Sequence, residues 1–355
     1  MLNVPWSVQW RKALVSAPRI LPDSVLRITS PEGPHPFVVK LPCRGNHLIP
    51  LYVFLPPPTA QSVAKVTELP ILVDFHGGGF VLGSCHEQAP FCAKLCRELN
   101  CVAISVDYRL GPYAQFPAAL EDAEDVINAL LKPDEPGYAK LRSGISDHLS
   151  SQRRPDIKLD TSRIALSGFS SGGNLALNLV MSMASPGVPE AWPSPFPDNH
   201  PKEIPVLMYF AAIDLRKLPS EREIVAGFHD VPKSLIARLE LEQHLMPTYL
   251  PADKRMHQRA SPALADVENG GLHKQARCLL LLAEKDALSI QNEVWLQKCH
   301  KVGRSEDVTL ATFTGMVHGW TQFPDAWLDS NGYDKKYEAH NKAVEFVRGH
   351  WQRPT

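Results

Sequence analysis

One serine in this chain lies in a glycine-bounded turn of the kind that presents a nucleophile. Gly168-Phe-Ser-Ser-Gly172 follows a strand predicted over 163–167 and precedes an apolar helix predicted over 172–183. A turn this tight leaves no room for side chains two positions before and after the serine, and its strain raises the serine oxygen above the sheet. On its own, the pattern is also that of a plain tight turn. In this strand-turn-helix context, Ser170 is the candidate nucleophile.

A second glycine cluster follows another predicted strand. His76-Gly-Gly-Gly-Phe80 comes directly after the apolar segment 70–75. Three glycines leave backbone N–H groups unshielded by side chains, and such donors suit the negative oxygen of a tetrahedral intermediate. A phosphate loop would need a following Gly-Lys-Ser/Thr, and a dinucleotide loop would need a different glycine spacing. The cluster therefore predicts an oxyanion-binding loop.

The residues that would activate this serine lie in two loops further along the chain. A serine alcohol needs a base to accept its proton, and the base needs an acid to orient it. His318 follows a strand predicted over 308–313, and Asp286 follows one predicted over 278–283, as expected for sites at strand ends. Glu284 is the alternative acid. The weaker candidates for the base lie in polar stretches with no preceding strand: His244, His257, His273 and His300.

Apolar and amphipathic segments alternate along most of the chain. Several strands are continuous apolar runs, as expected when helices cover both faces of a sheet. The alternation predicts an α/β fold with a mostly parallel central sheet flanked by helices. Further strands are predicted at 48–55, 101–106 and 206–213, and further helices at 87–99, 117–131 and 340–351. The polar residues 132–157 are interpreted as a surface excursion, and whether it borders the site is left open.

The overall composition limits the class of protein. The 355 residues carry a net charge of -1, with 44% hydrophobic and 21% charged side chains, which is typical of a globular protein. Nucleic-acid binding is not expected, because it needs a basic face. No apolar run reaches the length of a membrane-spanning helix, so no membrane-spanning segment is expected. The N-terminal residues do not resemble a secretory signal, and the sequence predicts a cytoplasmic protein.

The seven cysteines do not indicate a disulfide framework, because their number is odd and their spacing is scattered. Cys92 and Cys96 lie one helical turn apart, with His86 and Cys101 nearby, so a metal cluster is conceivable. A helix face of buried thiols is the favoured interpretation, because free cysteine behaves as a small apolar residue. The sequence therefore predicts neither a metal nor a cofactor.

Together these residues resemble the hormone-sensitive-lipase-like branch of the α/β-hydrolases, which includes bacterial and fungal esterases and plant carboxylesterases. The resemblance implies an α/β-hydrolase fold in one domain over 1–355, with a helical cap from about 1–40 and 214–255. The stretches that carry it are His76–Ser84, Val106–Leu110, Phe116–Ala123, Asp160–Ile164, Gly168–Asn174, Asp286 and His318-Gly319.

The resemblance also assigns the oxyanion donors and reveals three departures. It implies that Gly77, Gly78 and Ser171 donate their backbone N–H groups to the oxyanion. Phe169 precedes the nucleophile where an acidic residue is frequent, which makes that flank apolar. The other departures remove no catalytic group: Leu110-Gly-Pro-Tyr-Ala-Gln115 replaces an Ala-Pro-Glu pattern, and Ala287-Leu288 replaces Pro-Leu.

These observations predict a serine esterase that cleaves small or hydrophobic carboxylic esters through an acyl-enzyme intermediate. The expected partner is therefore a small-molecule ester. Two alternatives remain open at this stage. One is a biosynthetic hydrolase or acyltransferase that acts on a lactone or thioester of a specialised metabolite, and the other is a non-catalytic small-molecule receptor on the same fold. The oligomeric state is also open, with a homodimer as one option.

Overall fold

The computed structural model describes residues 5–16, 26, 30–58, 67–184, 191–223, 241–268 and 270–353. The strands are β1 (Phe37–Cys43), β2 (His47–Phe54), β3 (Thr67–Phe75), β4 (Val102–Val106), β5 (Ile157–Phe169), β6 (Met183–Ala184), β7 (Ala191–Trp192), β8 (Ile204–Tyr209), β9 (Ala276–Lys285) and β10 (Val308–Val317). The α-helices are α1 (Trp6–Ser16), α2 (Cys85–Leu99), α3 (Ala118–Leu131), α4 (Pro136–Ser151), α5 (Ser171–Leu179), α6 (Leu241–Tyr249), α7 (Ala287–Lys301) and α8 (Ser330–Gln352).

Eight strands form one sheet in the order β1-β2-β4-β3-β5-β8-β9-β10. The β1–β2 and β2–β4 pairs are antiparallel, and the pairs from β4 to β10 along the sheet are all parallel. β6 and β7 form a separate two-stranded ribbon. The mostly parallel α/β sheet predicted from the alternation of segments is confirmed.

Helices cover both faces of the sheet, which explains the continuous apolar strands. In β3, Ile71, Val73 and Phe75 enter the core on one face, whereas Leu72 enters the core on the other. The first core is shared with α3, α4, α5 and α7, and the second with α2 and α8. A strand buried on both faces loses the polar alternation of a half-exposed strand. This arrangement places the carboxyl ends of β3, β5, β9 and β10 along one edge.

The interpretation of 132–157 as a surface excursion was wrong. Its central part is α4, which buries Leu141, Ile145 and Leu149 at four-residue intervals. α4 packs on β1, a half-buried strand that the sequence analysis also missed. The approach is close: a Cβ added at Gly144 would lie 2.7 Å from a Val39 methyl group. The apolar stripe is narrow, so the polar composition of the segment concealed it.

Two helices lie against the loop that follows β3. α1 and α6 contact each other. The buried Lys12 of α1 donates a hydrogen bond to the Val81 carbonyl oxygen, and the Tyr249 ring at the end of α6 stacks on Phe80 at 4.5 Å. Both helices fall in the ranges expected to form a cap. Other parts of those ranges, 1–4, 17–25, 27–29 and 224–240, lie outside the described residues.

Candidate active site

The turn between β5 and α5 holds Ser170 in a conformation that only close packing could maintain. Ser170 has φ 52° and ψ −112°, which is strained for a residue with a side chain. Two hydrogen bonds of 2.9 Å fasten its backbone, from its N–H to the Tyr209 carbonyl and from the Ala212 N–H to its own carbonyl. Glycine is required on both sides. A Cβ at Gly168 would lie 2.1 Å from the Gly172 oxygen, and a Cβ at Gly172 would lie 2.0 Å from the Phe75 oxygen.

The structure brings together the three residues selected from the sequence as nucleophile, base and acid. His318 Nε2 lies 3.2 Å from Ser170 Oγ, and His318 Nδ1 lies 2.7 Å from Asp286 Oδ2. Asp286 caps α7, because its other oxygen accepts a 2.9 Å hydrogen bond from the Leu288 N–H. Ser170 and Asp286 are 8% and 4% exposed, while the His318 side chain is 38% exposed. A buried carboxylate and a more accessible imidazole suit proton transfer at a substrate.

The glycine loop after β3 lies directly against the serine turn. A Cβ at Gly77 would lie 3.1 Å from the carbonyl oxygen of Phe169, the residue before Ser170. Gly78 has φ 121°, and a Cβ there would lie 2.1 Å from the Leu82 oxygen, so this position requires glycine. Among the described residues, the Gly77 and Gly78 amides donate no hydrogen bond to another backbone group. The glycine loop thus adjoins the turn that carries Ser170, with these two N–H groups not used in backbone pairing among the described residues.

The geometry separates Asp286 from the rival acid. Glu284 accepts a 2.7 Å hydrogen bond from the Gly315 N–H, in the segment that leads to His318. It therefore contacts the loop that carries the imidazole, whereas Asp286 contacts the imidazole itself. The rival histidines have other contacts or positions. His257 packs edge-on against Phe116 and Trp192, His273 contacts the Pro197 carbonyl, His244 is exposed, and His300 is exposed on α7.

Aromatic residues pack against the ring of His318. The Phe210 ring meets the His318 ring edge-on at 4.9 Å and also packs against Trp320 at 5.4 Å. Phe210 itself has φ 37°, a second strained backbone next to the site. The sequence analysis missed this residue, because it ended the strand at 213 whereas β8 ends at Tyr209. An aromatic residue directly after a buried strand was the only available signal.

A buried carboxyl that the sequence analysis did not select lies on β3. Burial raises the pKa of Asp74 to about 6, although hydrogen bonds from Ser167 and Ser105 lower it. The available signal was a single charged residue in the otherwise apolar stretch 70–75. Tyr108, which lies in the stretch Val106–Leu110 but was given no role of its own, donates its hydroxyl to the His76 carbonyl at 2.8 Å and stacks its ring on the His76 ring.

The cysteines near α2 are buried in the apolar core. Cys96 Sγ donates to the Cys101 carbonyl at 3.0 Å. Burial raises the pKa of Cys96 to about 12 and that of Cys92 well above its usual value, so these thiols stay protonated at neutral pH. Within the described ranges, no three His, Cys, Asp or Glu side chains are grouped to hold a metal ion. In the same ranges, no helix combines the length and apolarity needed to cross a bilayer.

Comparison with known proteins identifies relatives of this chain. A family model for the α/β hydrolase fold matches residues 72–322, which include the glycine loop and the Ser170, Asp286 and His318 cluster. A protein of Arabidopsis thaliana named probable carboxylesterase 6 is 36% identical over 133 residues, which are 36% of this chain and 34% of that protein. The matched stretch thus spans about a third of the plant protein's length.

A bacterial relative and a solved structure match more of the chain. An ethyl acetate hydrolase of Pseudomonas putida is 26% identical over 281 residues, which are 79% of this chain and 74% of that protein. A thermophilic and thermostable carboxylesterase cloned from a metagenomic library superposes with a TM-score of 0.63 at 23% identity, over 98% of this chain and 99% of the other. These matches confirm the fold that the resemblance implied.

Proposed function

The chain belongs to the α/β-hydrolase family, and from this membership we propose that it hydrolyses carboxylic esters with Ser170 as the nucleophile. The observation that carries the proposal is the chain of hydrogen bonds from Ser170 through His318 to Asp286. The names of the plant carboxylesterase and of the ethyl acetate hydrolase support the same reaction class. Ser170, Asp286 and His318 all lie within residues 72–322, which the family model matches.

In the proposed reaction, His318 accepts the Ser170 proton as the serine oxygen attacks the ester carbonyl. Asp286 holds the Nδ1 proton of the imidazole towards itself, which leaves Nε2 as the acceptor and stabilises the imidazolium that forms. His318 then gives the proton to the departing alcohol. Water, activated by the same imidazole, attacks the acyl-enzyme and releases the acid.

The negative charge that develops on the carbonyl oxygen needs prearranged donors. We assign this role to the backbone N–H groups of Gly77, Gly78 and Ser171. The glycine loop abuts Phe169, and Ser171 begins α5, whose positive end also faces the site. Donors fixed in place before the reaction need no reorganisation in the transition state, and each is worth roughly 10²–10³ in kcat.

Apolar side chains near the glycine loop favour an apolar acyl group. A Cβ at Gly79 would lie 3.5 Å from Met246 on α6, and Phe80 stacks on Tyr249. We propose that α1 and α6 belong to a cap over the site, formed from about 1–40 and 214–255. Small or hydrophobic esters would bury apolar surface there at about 25 cal/mol per Å², whereas charged acyl groups would lose solvation.

The test combines active-site labelling with turnover. Wild type, Ser170→Ala and the control Ser143→Ala are treated with a fluorophosphonate probe and assayed with p-nitrophenyl acetate through decanoate. Ser143 is an exposed serine on α4 that bonds only locally to the Lys140 carbonyl, so its loss is expected to be silent. Labelling and turnover of wild type and Ser143→Ala, but not of Ser170→Ala, would support the proposal.

Two other results would favour a different function. Wild type that binds small ligands but neither labels nor hydrolyses any ester would favour a receptor. If product analysis in mixtures of water and a competing alcohol showed mostly the transferred ester, the acyl acceptor would be an alcohol rather than water. The acyl-enzyme is common to hydrolysis and transfer, so only the product separates them.

A further inference from the structure

Three polar side chains form a row across the middle of the sheet, beneath the candidate active site. Asp74 on β3 is paired in register with Ser105 on β4 and with Ser167 on β5. Its Oδ1 accepts a 2.7 Å hydrogen bond from Ser167 Oγ, and its Oδ2 accepts a 3.1 Å hydrogen bond from Ser105 Oγ. All three side chains are completely buried. The carboxylate thus binds both neighbouring strands through side chains as well as through the sheet.

This row lies immediately before the residues that would do chemistry. Asp74 precedes His76 and the glycine loop by two residues on β3, and Ser167 precedes Ser170 by three residues on β5. A shift between these two strands would move the oxyanion donors relative to the nucleophile. Displacements of about 1 Å in such sites cost on the order of 10²-fold in rate.

Two glutamines extend the row towards the histidine loop. The Gln88 side chain on α2 is one of the groups whose approach lowers the pKa of Asp74. Gln88 Oε1 accepts a 2.9 Å hydrogen bond from Gln322 Nε2, four residues after His318. Gln322 also lies over the glycine loop, since a Cβ at Gly77 would be 3.2 Å from its Oε1. The residues around Asp74 therefore adjoin the strand before Ser170, the glycine loop and the segment after His318.

The charge on Asp74 is unfavourable for folding. Among the described residues, no ion pair reaches it, and its burial raises its pKa to about 6. The titratable groups that face it from other elements are Cys92 on α2 and Tyr209 on β8, and burial raises the pKa of each well above its usual value. On its own segment, His76 follows directly after the end of β3. A neutral amide of the same shape would fill this position without the desolvation penalty.

Resting on the proposed ester hydrolysis, we infer that Asp74 is a positioning residue whose carboxylate holds the oxyanion strand β3 against the nucleophile strand β5. As an anion it only accepts, so the hydroxyls of Ser105 and Ser167 can both donate to it. Once protonated, it must itself donate one hydrogen bond, and the same set of contacts cannot be kept. Full activity therefore requires two deprotonated groups, Asp74 and His318.

The experiment measures kcat and KM from pH 4.5 to 8.5, by a discontinuous assay of released acid, together with Tm at pH 8. The variants are Asp74→Asn and the matched control Asp122→Asn. Among the described residues, Asp122 on α3 is a second fully buried aspartate with a raised pKa, but it pairs with Arg109 and takes no part in the row. Ser105→Ala is a second variant that keeps the charge and removes one donor.

Four results are expected. Between about pH 5 and 6, log kcat/KM of wild type falls with a slope clearly above 1, about 1.3–1.6, because protonation of Asp74 adds a five- to twentyfold loss to that of His318, whereas the slope of Asp74→Asn does not exceed about 1. At pH 8, Asp74→Asn lowers kcat about five- to twentyfold with KM within twofold, and its Tm rises. Asp122→Asn lowers Tm because it breaks a buried ion pair, and it keeps the steep slope. Ser105→Ala shifts the steep region to higher pH, because the carboxylate loses a donor.

Other results would overturn the inference. A slope of 1 in active wild type would show that only one ionisation matters. An unchanged kcat in Asp74→Asn would show that the row does not position the site. A parallel loss of kcat and Tm in Asp74→Asn, with the steep slope retained, would mean that Asp74 is merely structural. Should Asp74→Asn fail to fold, an unshifted profile in Ser105→Ala would refute the role. Wild type inactive on every ester would instead refute the proposed function.

Discussion

The titration of Asp74 should make the free energy of unfolding fall as the pH rises from about 4 to 7. Its pKa is about 6 in the folded protein and 3.8 when unperturbed, so between these values the folded state binds the proton more tightly than the unfolded state. The stabilising contribution is complete below pH 3.8 and is lost as the pH rises through about 6. A difference of about 2 pKa units corresponds to about 3 kcal/mol, with no reduction for solvent screening because the group is fully buried.

The assay is urea denaturation of wild type and Asp74→Asn between pH 4 and 7.5. Groups other than Asp74 titrate in both proteins, so the difference between their unfolding free energies isolates this one carboxyl. That difference should change by about 2–3 kcal/mol in favour of the variant between pH 4 and 7.5, with half of the change reached near pH 5, its completion above about pH 6, and unchanged m-values. A difference that stays constant across this range would show that Asp74 is not protonated in the folded protein, and the reasoning from burial would fail.

Four further predictions concern the site itself. Asp286→Asn should lower kcat about 10⁴-fold, because the amide would favour the wrong imidazole tautomer, whereas Glu284→Gln should stay within about tenfold. Activity should fall below about pH 6–7 as His318 becomes protonated, and a flat profile down to about pH 4 would count against it. Gly172→Ala should lower kcat at least about 10²-fold and reduce Tm, because its Cβ would overlap a β3 carbonyl; equal values to wild type would refute the packing. Met246→Ala should raise activity on longer p-nitrophenyl esters relative to acetate, and an unchanged chain-length profile would remove α6 from the acyl site.

The sequence predicted those parts of the fold and site that depend on local patterns. Gly168 and Gly172 bound a turn that is recognisable from five residues, and apolar runs such as 70–75 mark strands buried on both faces. Asp286 was preferred as the acid although Glu284 lies closer to the end of the predicted strand, and the structure gives Asp286 the contact with His318. The role of these residues in catalysis stays a prediction until the variants are measured.

The features that were missed depend on contacts between distant segments. The row through Asp74 exists only because β3 lies between β4 and β5 in one particular register, which no local pattern encodes. α4 was missed because Leu141, Ile145 and Leu149 are three apolar positions in a polar segment, and their burial depends on the neighbouring β1. Such burial can be recognised only when the helix and the strand that it packs against are both known.

Several energetically unfavourable features of this structure lie near the carboxyl ends of three central strands of the sheet. Ser170 after β5 and Phe210 after β8 both have left-handed backbones, each costing about 1–3 kcal/mol, and Asp74 on β3 adds a buried charge. The three strands are adjacent, so the surrounding core must stabilise all three features together. If a strained residue has no role in the reaction, a substitution that removes the strain should raise Tm and leave kcat unchanged. If the strain serves catalysis, the same substitution should raise Tm and lower kcat. A substitution that relieves the backbone strain at Phe210, whose ring contacts that of His318, can therefore be judged as Asp74→Asn is. A higher Tm together with a lower kcat would show that the strain serves the reaction.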